Sequence, residues 1–310
     1  MAQTSQPAAR SAGPAVHSLD HFAFTVPDLD VAARFYGEFG LDVRRVDGRI
    51  DLYAFGNPHR WGSIHRAPGR KKLQYICFGA YEEDIEQLRD RIERMRVMRR
   101  EPHPLAQSTG LWCEDPQGIA VQVIVGPKVS PSEKKPIVWP AAAPGKGACP
   151  ARSTMKGVRA TRLSHALMFS SDVMGSARFY IDALGLKLSD YSGEGIAFLH
   201  GAHSSDHHLV AFAKSEGPGL HHSSWNVATI DDVGLGMQQM VDHGHKEGWG
   251  IGRHVLVRTI STTCAIRGAA SPNTRTTSTS SPPISSGRRR IIRRRIPSTS
   301  GARRCPTTSS

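Results

Sequence analysis

The feature that most constrains this chain is that it carries one unit twice. LDHFAFTVPDLDVAARFYGEFGLDV (Leu19 to Val43) lies over LSHALMFSSDVMGSARFYIDALGLKL (Leu163 to Leu188), with His21 over His165 and Asp28 over Asp172. Ala-Arg-Phe-Tyr and Gly-Leu recur in both. Each copy reads as an alternating apolar strand, a polar break, a helix of about ten residues with Phe-Tyr on one face, and a Gly-Leu stop. A fold built on this sequence must therefore place the same supersecondary unit in two places.

Further strand-like runs follow in both copies, LQYICF (Leu73 to Phe78) matching LHHSSWNV (Leu220 to Val227). Each is succeeded by a helical stretch, EEDIEQLRDRIERM in the first copy and IDDVGLGMQQMVDHG in the second. The order β-α-β-β-β predicts an α+β protein made of tandem βαβββ modules in two domains. The expected divisions are a disordered start over 1–17, an N-terminal domain over 18–127, a Pro-, Ala- and Lys-rich linker over 128–158, and a C-terminal domain over 159–256. A disordered Arg/Ser/Thr-rich tail is expected over 257–310, because it has too few apolar residues to repay ordering.

Composition narrows the class. The 310 residues and 39% apolar content support two buried cores. The net charge of +13 suggests an anionic partner only until its source is located. Eleven arginines between Arg258 and Arg304, with no acidic residue among them, account for all but two of those charges. The body is near neutral, and a nucleic-acid partner acting through Arg288 to Arg295 is not the expected reading. The five cysteines (Cys77, Cys113, Cys149, Cys264, Cys305) have no metal-knuckle spacing and make an odd number for a disulfide framework. A reducing cytoplasm is the expected location. Neither a signal-peptide apolar run nor a membrane span of roughly 18 to 20 apolar residues is visible.

With the repeat stand a Leu-Ser-His strand (Leu163 to His165), a GLHHSSW strand (Gly219 to Trp225) and a Gly-Arg-His turn ending at His254. Together these resemble the two-domain type I extradiol dioxygenases of the vicinal oxygen chelate superfamily, over roughly Ser18 to Val255. The resemblance implies cupped sheets around a metal held only by the C-terminal domain. It implies Fe(II), with Mn(II) as a substitute, a catecholic substrate and dioxygen, and a homo-oligomer. Two imidazoles and a carboxylate leave open positions on Fe(II) where both reactants can meet. By this resemblance His165 and His222 are the metal ligands, His208, which opens HLVAF, is the acid-base group, and His254 stabilises the bound diol and oxygen. An imidazole with a pKa near 6.5 suits proton exchange. His221 is expected to face the other side of its strand, and His207 to be an ordinary exposed histidine. The alternative from the same superfamily is a non-catalytic module that sequesters a small molecule.

The first copy is an internal control. It has His21, Tyr75 and Gln122 where the second would place His165, His222 and a closing carboxylate. An imidazole, a phenol and an amide make a poor divalent site, so a scaffold is expected there. The family's closing strands, with their D-P-x-G turn and ligating glutamate, are not legible after Leu256. Reading one plausible codon set for Val257 to Arg275 in an adjacent frame gives GSNYFHYVRDPWGSFAEYS. There, DPWG precedes Glu by the spacing at which Asp115 to Gly118 (DPQG) precedes Gln122. The tail is therefore expected to be out of frame, leaving the enzyme impaired by loss of its third ligand.

Overall fold

The computed structural model describes residues 13–99, 101–133, 145 and 157–245, together with the backbone of two short strands at 250–253 and 260–263. His254, most of the linker and everything after Thr263 lie outside the described residues.

The first module runs β1 (Val16–Val26), α1 (Leu29–Glu38), β2 (Asp42–Val46), β3 (Arg49–Tyr53), β4 (Arg60–Arg66), β5 (Lys72–Ala80), α2 (Glu82–Arg94), β6 (Leu111–Glu114) and β7 (Ala120–Val125). Its seven strands form one sheet in the order β2-β3-β4-β1-β5-β7-β6. The second runs β8 (Arg162–Ser170), α3 (Val173–Leu184), β9 (Lys187–Ser192), β10 (Ile196–His200), β11 (Val210–Lys214), β12 (Gly219–Asn226) and α4 (Ile230–Asp242). Its sheet has five strands, ordered β12-β8-β11-β10-β9. The last pair, β13 (Gly250–Arg253) and β14 (Ile260–Thr263), forms a separate antiparallel hairpin.

The repeated residues have repeated jobs. Asp28 and Asp172 are the N-caps of α1 and α3, each side chain accepting from backbone N–H groups of the first turn. The Phe-Tyr pairs, Phe35-Tyr36 and Phe179-Tyr180, are buried on the inner face of those helices. Both Gly-Leu stops take positive φ, +99° at Gly40 and +73° at Gly185, and both receive the other module. Ala160 N–H donates to Gly40 O at 3.0 Å, while Ala15 packs against Gly185. The second helices repeat the exchange. Arg91 of α2 donates to Pro14 O at 2.6 Å, and Gln239, at the same position of α4, accepts from Val158 N at 2.8 Å. The two modules thus grip each other's entry segments by the same device used twice.

Two expected boundaries move. Within the span 1–17 expected to be disordered, β1 already begins at Val16, with Val16 and His17 fully buried, and the chain entering it packs on Gly185. Within the tail expected to be disordered, Ile260–Thr263 is a strand, since Gly250–Arg253 pairs with it along its whole length. Among the described residues no helix is long and apolar enough to cross a membrane.

Candidate metal centre

Strand β8 sorts its side chains by alternation. Ala166 and Met168 join the core beneath α3, while Leu167 packs with Phe198 and Ala211 on the opposite, concave face. His165 shares that concave face by its period of two from Leu167. Antiparallel pairing sets His222 opposite Leu167 and Ser224 opposite His165. His222 is therefore a diagonal neighbour of His165 on one face, and their ring centroids are 5.6 Å apart, inclined at 68°.

His208 lies two residues before β11. The backbone of Leu209 is clamped on both sides, its N–H donating to Leu199 O at 2.8 Å and its carbonyl accepting from Ala166 N at 3.1 Å. That fixes His208 directly beside β8. Its ring, buried at 7% exposure, lies 3.9 Å from His165 between centroids and 5.0 Å from Phe198. Three of the four histidines singled out in the sequence thus gather at one place, and the fourth, His254, falls outside the described residues.

Polar neighbours lie against each of these rings. Ser164 Oγ lies 3.3 Å from His165 Nδ1, and His221 Nδ1 lies 2.9 Å from His222 Nδ1. Each of the two rings thus has its Nδ1 beside a polar neighbour on its own strand. His207, expected to be an ordinary exposed residue, is half-buried and meets His208 through their Nδ1 atoms at 3.3 Å. His221 departs from the expected alternation. The β8–β12 register steps from Leu220 to His222, which makes His221 a bulge residue and turns its ring toward Phe169, 4.9 Å between centroids. Burial, helped by the charge of Lys71, holds the His221 pKa below the usual imidazole value.

The first module has the same frame with other side chains. Tyr75 stands opposite Ala23 as His222 stands opposite Leu167, and the His21 and Tyr75 rings are also 5.6 Å apart. Here His21 Nε2 and the Tyr75 hydroxyl are hydrogen-bonded at 3.3 Å. Burial pushes the Tyr75 phenol up to about 12, so it stays neutral and a weak donor to a metal. Gln122 is fully buried, its amide donating to Ser108 O at 3.0 Å.

The fit to a two-histidine, one-carboxylate site is therefore partial. The described residues of the second module supply two imidazoles on one face and a third beside them. They bring no carboxylate to that point, and no trio of His, Cys, Asp or Glu donors within 4.8 Å of one another.

The family model described as the Glyoxalase/Bleomycin resistance protein/Dioxygenase superfamily matches residues 18–123 and 162–266, one match per module. Metapyrocatechase 2 of Cupriavidus necator is 42% identical over 254 residues, 82% of this chain and 79% of that protein. Two solved structures share the fold. The Mn(II)-bound glyoxalase from Novosphingobium aromaticivorans has a TM-score of 0.65 at 24% identity, over 82% of this chain and 80% of its own. The 2,3-dioxygenase LapB from Pseudomonas sp. KL28 has a TM-score of 0.64 at 20% identity, over 83% and 90%.

Proposed function

The chain belongs to the glyoxalase/bleomycin resistance protein/dioxygenase superfamily, and on that premise we propose that it is an extradiol ring-cleaving dioxygenase of catecholic aromatics, with a metal centre in its second module. The observation that carries this reading is the convergence of His165 and His222 from separate strands onto one face, in a chain 42% identical to a metapyrocatechase. Fe(II) is the proposed metal, with Mn(II) as the substitute; when bound, it supplies a common point at which diol and dioxygen can meet.

The side chains divide the remaining work. His165 and His222 would hold the metal, with Ser164 Oγ and His221 Nδ1 beside their respective Nδ1 atoms. His208, whose Nδ1 lies 3.3 Å from His207 Nδ1, would accept a proton from a substrate hydroxyl and return it later. Leu167, Phe198 and Ala211 line the concave face around these rings and exclude water from an aromatic substrate. His254, which lies outside the described residues, is proposed to stabilise the bound diol and oxygen.

A third ligand is not among the described residues, so the chain as it stands is proposed to be impaired, through a frame change near Leu256. The test compares two proteins loaded anaerobically with Fe(II), then given catechol and air. The present chain should form little or no coloured ring-fission product. A chain whose residues from Val257 onward are replaced by the adjacent-frame strands should form it. If the restored chain takes up stoichiometric iron and still cleaves no catechol, the dioxygenase reading fails. If the present chain turns over freely, the impairment reading fails.

The incomplete ligand set favours one second reading, a non-catalytic module that sequesters a small aromatic in the cup. Such a module would bind ligand with no iron present, which equilibrium dialysis of the metal-stripped chain distinguishes.

A further inference from the structure

The strongest unassigned chemistry lies in the first module. Between β1 and β5 the register steps from Leu19 opposite Phe78 to His21 opposite Cys77, leaving Asp20 as a bulge residue. A regular strand would send Asp20 and His21 to opposite faces; the bulge brings the carboxylate round to the imidazole, with Asp20 Oδ1 2.6 Å from His21 Nδ1. Cys77 sits directly across the ladder from His21. One donor atom from each of Asp20, His21 and Cys77 lies within 4.8 Å of the others, and all three residues are buried.

A second observation comes from the strand beside Cys77. Gln122 on β7 is paired in register with Cys77, so both side chains use one face. Its amide nitrogen is committed to Ser108, whose carbonyl can only accept. The amide oxygen is therefore the end left over, and this buried Oε1 has no hydrogen-bond partner among the described residues. A buried acceptor without a donor costs roughly 1–3 kcal/mol, a cost that a bound cation would remove.

We propose that Asp20, His21, Cys77 and the Gln122 amide oxygen form a closed site for one borderline-soft divalent cation of the zinc class. A thiolate, an imidazole and two oxygens are a donor set for zinc rather than for magnesium or calcium. Bonds of about 2.0–2.3 Å place tetrahedral donors about 3.3–3.7 Å apart, so in a cluster spanning up to 4.8 Å the wider pairs need to draw in by about an ångström, while the Asp20–His21 contact at 2.6 Å needs to open. Burial keeps the Cys77 thiol protonated without a metal. Binding would release that proton, leaving thiolate and carboxylate to neutralise the dication. Four protein ligands leave no open position, so the site is structural and independent of the proposed oxygen chemistry.

The test strips the full chain with chelator and titrates it with cobalt(II), whose thiolate complexes give a sulfur-to-metal charge-transfer band in the near ultraviolet. The intact chain should bind one equivalent with that band. Cys77→Ser should lose the band, whereas Cys113→Ser and His222→Ala should keep it. If Cys77→Ser does not fold, Asp20→Asn serves instead. Zinc should raise the melting temperature of the intact chain and raise that of Asp20→Asn less. Absence of the band from the intact chain, its survival in Cys77→Ser, or an equal zinc response in Asp20→Asn would overturn the proposal.

Discussion

The two modules are the same design completed differently. In the first, β5 is paired on both sides, with β1 and with β7, and the sheet has seven strands. In the second, among the described residues, the equivalent strand β12 is the end of a five-stranded sheet, and the later hairpin of β13 and β14 forms a sheet of its own. Yet the proposed metal centre is built at that open edge, while the closed sheet holds His21 against a neutral phenol. A closed sheet can fill its concave face with hydrogen-bonded side chains. An edge beside a ligand pair is where a further strand must bring the missing donor.

The sharpest way to break this comparison is to exchange its terms. His222→Ala in the restored chain should lower iron affinity by more than about 100-fold, since losing a mere supporting partner of a metal ligand costs about 10–100-fold. Ring cleavage should fall to background. Tyr75→Phe, at the matching position of the first module, should leave iron content and cleavage unchanged. Iron analysis beside an absorbance assay decides the matter, and equal losses in both variants would erase the asymmetry.

How much of this was legible in the sequence differs with the kind of interaction. The caps at Asp28 and Asp172, the buried Phe-Tyr pairs and the Gly-Leu stops are local, and the repeat displays them in one alignment. The meeting of His165 and His222 required pairing two distant strands, and the family frame supplied that register. The bulges at Asp20 and His221 had no local signal, because they arise from how β1 meets β5 and β8 meets β12. For the same reason the alternation rule misplaced His221 and hid the approach of Asp20 to His21. The one clue was that Cys77 stands in the repeat where the second module has Ser224.

Acid should expose the next difference. His17 in β1 is fully buried, its Nε2 3.2 Å from Gly126 O, with space made for it by Gly79, where a Cβ would come within 2.8 Å of the ring. Burial lowers its pKa from 6.5 to about 4. The folded chain therefore refuses a proton that the unfolded chain accepts between those values. Stability is fully present above pH 6.5 and is lost as pH falls toward 4, by up to about 3 kcal/mol at 1.36 kcal/mol per pKa unit. The matching position in the second module is Thr161, which cannot titrate. Melting curves across that range should flatten in His17→Gln, and an unchanged slope would place the acid response elsewhere.

The reciprocal grip predicts equal damage at both Gly-Leu stops. A Cβ on Gly40 would fall 2.2 Å from Val158 O, and one on Gly185 would fall 2.7 Å from Ala15 Cβ, each at positive φ. Gly40→Ala and Gly185→Ala should each cost about 2 kcal/mol, from backbone strain and from the displaced entry segment. Chemical denaturation of each variant would check this. A large loss at one glycine and none at the other would mean that only one module depends on its neighbour's entry segment.

The smallest effect tests whether the helices that carry the repeat are equally well anchored. Asp28 accepts from Asp30 N at 2.8 Å and Val31 N at 3.0 Å, and these bonds hold its carboxyl below the usual carboxylate range. Asp172 accepts one such bond, from Gly175 N at 2.9 Å, but its own N–H is held by Ser170 Oγ at 3.0 Å. Replacing either by Ala should lower the melting temperature slightly, less than either glycine substitution. The loss at Asp28 should shrink as pH falls below the carboxylate range, because protonation removes the charge that strengthens both bonds. Thermal melts of Asp28→Ala and Asp172→Ala, at neutral and acid pH, would separate the doubly accepting cap from the single one. An identical pH response would show that the second bond at Asp28 adds nothing.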